Sequence, residues 1–469
     1  MGSGSNYMNW AKAHFVVGLY RRLTPIGNQM FPLYSILLSV AFVVMSPLFL
    51  MRREKYAAGF SERLGNYPAF VSDGSPVVWL HCVSVGEVNA ARPLVEAIIE
   101  RYPGHRLIIS TTTKTGQELA RKVFAHKAAA VFYFPFDWKF SVGRAIRNFS
   151  PAVVLLMETE IWPRFIREAK SSGAKLVIVN GRLSQKSFGR YQRIRALIRT
   201  VLADVDLALM QGGGDANRLI SLGMGAAKTR VMGNLKFDIS TDSKSAAADQ
   251  LAERFDLGSG RPVIVAASTH DPEERWILDA YCSAASGPQA PRPRLMIAPR
   301  HPERFDTVLK LLRDFKQEPG CEWSRYTVAR RTAEPDPDDC EADVILLDSI
   351  GELRDMYRYA DIVFVGGSLI PHGGQSVLEP AAAGAAIITG PHTHNFADAV
   401  KVFLANRALV QLEPDTRPEA IPDSIYMAIA DLLEQDGTRK ELGRNALAVM
   451  AENRGATEVT IKELDALIR

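Results

Sequence analysis

Residues 77–92 read VVWLHCVSVGEVNAAR. The first six, Val77–Cys82, form an unbroken and mostly apolar run rather than an alternation, the pattern of a strand covered on both faces. Ser84 and Glu87 then stand three apart at the mouth of a helical pattern, a spacing that opens helices. A buried strand turning directly into a helix is half of a parallel βαβ unit.

The unit recurs. Further runs lie at Arg106–Thr111, Val131–Phe134, Val153–Met157, Lys175–Val179 and Val205–Met210, then at Val263–Ala267, Arg294–Ala298, Val344–Leu347, Asp361–Val365 and Ala385–Thr389. Longer amphipathic sequence separates them, so both halves predict parallel sheets with helical crossovers. Asp238–Gln250, DISTDSKSAAADQ, is polar, small and weakly patterned, and reads as a linker. The stretch after Pro422 is helical in pattern. The expected fold class is α/β. It comprises an N-terminal segment 1–56, a Rossmann-like domain 57–238, and a second Rossmann-like domain 239–469 with closing helices. A length of 469 residues suits two such cores.

Composition excludes wholesale disorder, with 47% hydrophobic and 23% charged residues. The net charge of +4 is unevenly spread: residues 1–70 hold seven Lys or Arg against two Asp or Glu, so the remainder carries −1. A basic N-terminal end points to an anionic membrane surface rather than to nucleic acid. Cys82, Cys282, Cys321 and Cys340 are far apart and predict no disulfide framework. Phe31–Leu50, FPLYSILLSVAFVVMSPLFL, has no charge over twenty residues. As a helix it is roughly 30 Å long, the thickness of a bilayer core. Arg21 and Arg22 precede it, and Arg52, Arg53 and Lys55 follow. Pro32 and Pro47 near its ends leave a helix lying in the membrane interface as the alternative to a spanning one.

In parallel α/β sheets, ligands bind outside the carboxyl ends of the strands, so the residues after each run are the candidates for chemistry. Glu87 there is either a general base for a hydroxyl or the second half of a capping box with Ser84. Thr115–Glu118, Ser349–Glu352 and Ser376–Glu379 share that spacing. Glu158 and Glu160 follow Val153–Met157 and are either functional carboxylates or salt-bridge and capping groups. Lys236, in GNLKFD, could meet a phosphate or carboxylate or stand in solvent. Arg300 follows Arg294–Ala298 in PRHPER and is placed to fork onto a phosphate. Gly366-Gly367-Ser368 and Gly373-Gly374-Gln375-Ser376 allow close backbone approach to an anion, with a helix expected to start near Ser376. Glu379 in that helix could bind a ribose or cap it. Gly212-Gly213-Gly214 reads as a flexible turn, and His392 and His394 lack a third ligand for a metal. There is no P-loop, nucleophile elbow or Cys/His catalytic signature.

The segments WLHCVSVGE (79–87), METEIWP (157–163), NGRLS (180–184), GNLKFD (233–238), ASTHDPEE (267–274), PRHPERF (299–305), DSIGEL (348–353), FVGGSL (364–369), GGQSVLEP (373–380) and GPHTHNF (390–396) occur in this order. Together they resemble the Kdo (3-deoxy-D-manno-oct-2-ulosonic acid) transferases of lipopolysaccharide synthesis, glycosyltransferase family 30. The resemblance implies a GT-B fold, two Rossmann-like domains facing a cleft, with a membrane-anchor helix at about 31–50 and location at the cytoplasmic side of the inner membrane. It implies inverting, metal-independent transfer of Kdo from CMP-Kdo to a hydroxyl of a lipid A precursor, without a cofactor. By position, Glu87 matches the family's proton acceptor, and Glu158 and Lys236 its transition-state stabilisers. Pro299 and Arg300, Ile350, Gly351 and Glu352, and Ser376, Val377, Leu378 and Glu379 match its CMP-contacting segments. One departure stands out: the family commonly has His-Asn where this chain has Gln375-Ser376.

Overall fold

The computed structural model describes residues 30–51, 58–239, 246–285, 292–315, 326–415 and 417–468. Cys321, residues 240–245 of the expected linker, and the basic residues Arg21, Arg22, Arg52, Arg53 and Lys55 lie outside them. Two compact units result: one made of residues 1–238 and 453–469, the other of residues 239–452.

The first unit holds a seven-stranded sheet of β1 (Val77–Cys82), β2 (Arg106–Thr111), β3 (Ala130–Tyr133), β4 (Pro151–Met157), β5 (Lys175–Gly181), β6 (Leu207–Met210) and β7 (Thr229–Val231). Its order is β3-β2-β1-β4-β5-β6-β7, with every pairing parallel. The second unit holds β8 (Val263–Thr269), β9 (Arg294–Pro299), β10 (Val328–Arg330), β11 (Val344–Leu346), β12 (Ile362–Val365), β13 (Ala386–Thr389) and β14 (Val410–Gln411). Its order is β10-β11-β9-β8-β12-β13-β14, again parallel throughout. The chain reverses its direction of travel across the sheet beside β1 and β4 in one unit, and beside β8 and β12 in the other. At such switch points the loops diverge and leave a crevice at the strand ends.

All six residues of β1 are buried, as an unbroken run requires. Trp79 anchors one face of this sheet, with ring centroids 5.0 Å from Phe165, 5.2 Å from Phe132 and 5.6 Å from Phe149. Its indole N–H donates to Ser110 Oγ at 2.7 Å, so this large buried side chain leaves no polar atom unpaired.

Four expectations are corrected. The sequence misses β7, β10 and β14, which are edge strands of two or three residues and are mostly not buried. The closing helix Ala456–Ile468 belongs to the first unit, not to the domain that precedes it in sequence. It buries Ala456 and Leu464 against that core, ion-pairs Asp465 with Arg101 at 2.7 Å, and is held at its start by Asp238, whose carboxylate accepts from the Gly455 amide at 2.8 Å and the Thr457 amide at 2.5 Å. Helix Ala246–Arg254 begins inside the stretch read as linker. Gly213 and Gly214 are the first turn of helix Gly213–Leu222 rather than a turn of their own.

Helix Met30–Met51 is long and apolar enough to cross a membrane by length and composition. Its first half packs on the first unit. The Tyr34 hydroxyl donates to Asp137 at 2.8 Å, Arg164 Nε donates to Ser35 at 2.8 Å, and Trp138 Nε1 donates to Ser39 at 3.0 Å. Phe42 lies 4.9 Å from the Trp138 ring. Ile36, Val40, Val43 and Val44 stay exposed on the helix. We expect Leu464→Ala to destabilise the first unit by about 2–5 kcal/mol, the range for emptying a buried leucine site. Denaturant melting checks this through a lower midpoint for the transition that reports Trp79; an unmoved midpoint would place the closing helix outside that cooperative core.

Candidate active site

In the first unit, two strand ends and one short loop gather the predicted residues. Glu87 sits in the first turn of helix Val85–Ala90, directly after β1, and is buried. Its Oε2 accepts from the Val83 amide at 2.7 Å and its Oε1 from the Ser84 hydroxyl at 3.2 Å. The Ser84 side chain makes no cap to a helix amide, and Glu87 reaches the Val83 amide rather than that of Ser84, so the expected reciprocal box does not form. Burial pushes the Glu87 carboxyl well above the usual carboxylate range, and the charges of Glu158 and Glu160 push it further against those two hydrogen bonds.

Glu158 is the first residue after β4, with φ +54°, a left-handed conformation that a glutamate rarely adopts. The turn is fixed from both sides: the Glu158 amide donates to Val179 O at 2.8 Å, and Thr159 Oγ1 donates to Arg182 O at 2.7 Å. The side chain stands 3.7 Å from Lys236 Nζ, each about a quarter exposed. Lys236 lies in the short 3-10 turn Leu235–Phe237, whose amides are anchored by two asparagines. Asn180 Oδ1 accepts from Leu235 at 3.0 Å and Asn234 Oδ1 from Lys236 at 3.0 Å. Asn180 is fully buried, with φ +55° at the end of β5. Asn180, within the NGRLS segment, carries no role expected from the sequence. An asparagine at a strand end, where αL backbone is tolerated, was the available signal.

In the second unit a buried carboxylate organises the strand ends. Glu273 is fully buried. Its oxygens accept from the amides of His270 at 3.0 Å, Gly367 at 2.7 Å, Ser368 at 3.0 Å and Leu369 at 3.0 Å. Burial raises its pKa, and the amide hydrogen bonds oppose the rise. The loop after β12 is thereby tied to the loop after β8. Neighbouring Glu274 accepts from Thr269 Oγ1 at 2.9 Å and from Arg304 at 2.6 and 3.1 Å, which fixes the segment after β9. The glycines are required: a Cβ on Gly366 would stand 2.6 Å from Ser268 O, and one on Gly390 2.3 Å from Ser368 O.

Around this knot lie the remaining candidates. Pro299 ends β9, and the Arg300 amide donates to Thr269 O at 3.0 Å while its side chain is exposed. Ile350 is 70% exposed beside Gly351, which has φ +102°. The Glu352 carboxylate is held by Arg331 at 2.9 and 3.1 Å and by the Ser349 hydroxyl, so Ser349–Glu352 is not a capping box; helix Leu353–Met356 starts after Glu352. Ser376 likewise departs from its expected box with Glu379. Its hydroxyl accepts from the Leu378 amide at 3.3 Å, and the helix is only Leu378–Ala382, starting two residues later than expected. Val377 and Leu378 are buried. Among the described residues no cluster of three or more His, Cys, Asp or Glu is placed to hold a metal ion.

Glu87, Glu158 and Lys236 are thus brought together in one unit. Pro299, Arg300 and Ser376–Glu379 share the strand-end side of the other, and Ile350–Glu352 follows the adjacent β11. Two Rossmann-like units of this kind define a GT-B-type α/β protein. In keeping with that, the chain resembles in fold a glycosyltransferase from Rickettsia africae (TM-score 0.52, 13% identity, 84% of this chain and 99% of that one) and the UDP-GlcNAc 2-epimerase of Neisseria meningitidis (TM-score 0.54, 12% identity, 83% and 99%). The sequence model for 3-deoxy-D-manno-octulosonic-acid transferases (Kdotransferases) matches residues 58–239. The 3-deoxy-D-manno-octulosonic acid transferase of Haemophilus influenzae is 34% identical over 413 residues, 87% of this chain and 91% of the relative. The chain therefore belongs to the Kdo transferase family, glycosyltransferases of lipopolysaccharide synthesis.

The electrostatics give a direct expectation. With Glu158→Gln one of the charges that raise Glu87 disappears, so the Glu87 carboxyl should titrate at lower pH than in the wild type. Carbon-13 NMR of labelled glutamate reads this, and a titration that stays put or moves upward would contradict the coupling.

Proposed function

We propose that the protein transfers Kdo from CMP-Kdo to a hydroxyl of a lipid A precursor, with inversion at the anomeric carbon and without a metal. The observation that carries this reading is Glu87: a buried carboxylate at a switch-point strand end, with a raised pKa and beside the Glu158–Lys236 pair. A base must hold a proton well enough to take it from an alcohol, and a raised pKa supplies that.

In a single displacement, Glu87 accepts the acceptor hydroxyl proton as its oxygen bonds to the anomeric carbon. The bond from that carbon to the CMP phosphate oxygen breaks on the opposite face, and its electron pair leaves with CMP. The anomeric carbon is tertiary, so oxocarbenium character develops there while negative charge gathers on phosphate. Lys236 stabilises the anionic side of this transition state, and Glu158 orients the lysine. Arg300 and the segments at Ile350–Glu352 and Ser376–Glu379 hold CMP, with Arg300 free to fork onto phosphate oxygens.

We infer also that helix Met30–Met51 holds the enzyme at the inner membrane, with both units on the cytoplasmic side, where the nucleotide-activated donor is available. The exposed apolar positions on that helix support this, as does the basic N-terminal sequence.

The deciding experiment is mass spectrometry of a lipid A precursor after incubation with enzyme and freshly made CMP-Kdo. The expected mass gain is one or more Kdo units; thermal stabilisation by UDP and not by CMP would sink the donor assignment. Glu87→Ala should keep CMP binding and lose transfer by at least about 100-fold. Wild-type transfer in that variant would remove Glu87 from the chemistry.

A further inference from the structure

The second unit contains a buried imidazole short of hydrogen bonds. His270 follows β8 and is 8% exposed; among the described residues neither Nδ1 nor Nε2 has a well-aligned hydrogen-bond partner, and the Ser268 backbone is the polar group that draws on the ring. A buried polar group left this way costs free energy unless a ligand completes it. The groups around it are basic. The His372 ring, from the loop after β12, lies 4.3 Å away, and the His301 ring, after β9, lies 5.4 Å away. Arg300 raises the positive potential at both His270 and His372, and His394 adds to it at His372.

The carboxylate nearest His270 is already committed. Glu273 Oε2 is 4.0 Å from Nδ1, beyond hydrogen-bond reach, and its two oxygens serve four backbone amides. Glu303, near His301 at 3.7 Å, is largely exposed. The backbone leaves room: Gly367 has φ +66°, and a Cβ there would stand 3.3 Å from His372 and 3.4 Å from His270. A side chain there would crowd both rings.

We propose that His270, with His301, His372 and Arg300 around it, forms an anion subsite that binds an oxygen of the donor, carboxylate or phosphate, through the His270 ring. This rests on the donor assignment made above. Burial, and then the neighbouring His372 and His301, push the His270 pKa down to about 4, so the ring is neutral in the empty site at neutral pH. An anion placed against it reverses that balance. The ring then takes a proton from solvent and donates a charge-assisted hydrogen bond. Donor binding is therefore coupled to proton uptake, and lower pH in the range between the free and bound pKa values tightens it.

The test is calorimetry of the full-length protein in detergent at pH 6.5. CMP and CMP-Kdo are titrated in two buffers of different ionisation enthalpy, alongside donor KM, for wild type, His270→Asn and the exposed-site variant His372→Ala. Wild type should take up protons on binding the anion, and His270→Asn should abolish the uptake. If the subsite reads phosphate, His270→Asn weakens CMP at least about tenfold, the scale of one charge-assisted hydrogen bond. If it reads the sugar carboxylate, CMP affinity holds while donor KM rises by that factor. No uptake in wild type, or variants within about twofold of it for both ligands, overturns the proposal. If His270→Asn does not fold, His372→Ala decides, with smaller changes in the same directions expected and none overturning. Failure of wild type to bind either CMP or CMP-Kdo overturns the donor assignment and the subsite together, which separates that result from loss of the subsite alone.

Discussion

One carboxylate without access to water holds the second unit's strand ends in place. Glu273 is ionisable, fully buried and, among the described residues, without a direct arginine or lysine partner, a state that costs several kcal/mol unless the charge is met. It is met by four amides. Three belong to the glycine-rich loop after β12 and one to the loop after β8, so a single side chain fixes two loops separated by more than ninety residues in sequence. Everything that the loops present depends on this knot: the exposed Arg300 after β9 leans on Thr269, and His270 is oriented by its own amide on Glu273. An asparagine or glutamine could accept from at most one side of it, since half of the amide group is a donor.

The two units use buried charge in opposite ways. In the first, three carboxylates, Glu87, Glu158 and Glu160, crowd one strand-end region, and their mutual repulsion adds to burial in keeping Glu87 ready to hold a proton. Lys236 is the positive group set beside them at Glu158. In the second, imidazoles and a guanidinium crowd the equivalent region while the carboxylates are consumed by amides and by Arg304. On the proposed reading, one site attracts a proton and the other an anion. A group transfer from an anionic donor to a neutral alcohol needs both, and two copies of one fold, each with a switch point, supply separate places to put them.

The sequence makes the sheets legible because strands buried on both faces must be continuous and apolar, as Val77–Cys82, Pro151–Met157 and Val263–Thr269 are. Thr229–Val231, Val328–Arg330 and Val410–Gln411 escape because an edge strand of two or three residues buries too little to leave a run. The return of Ala456–Ile468 to the first unit has no local signature at all; it is set by Asp238 and Arg101, more than two hundred residues earlier. Serine–glutamate spacing is a poor guide to capping in this chain. At Ser84, Ser349 and Ser376 the spacing is right, but the hydroxyl serves a glutamate or a nearer amide, because each serine sits in a strand-end loop whose course is fixed by tertiary contacts.

Under the proposed mechanism Glu87 combines a local helix-start pattern with a chemical role. Its hydrogen bonds to Val83 and Ser84 have the reach of a helix-start interaction, which made the structural alternative reasonable. Those bonds alone would lower its pKa, and a carboxylate used only for capping would be an ordinary acid. The net shift is upward because desolvation and two neighbouring glutamates outweigh them. The hydrogen bonds then act as positioning: they fix the rotamer while four lone-pair directions are only partly used. What distinguishes this glutamate from a cap is therefore the company that β4 brings to the end of β1, which follows from strand order and cannot be read from Ser84-Val85-Gly86-Glu87 by itself.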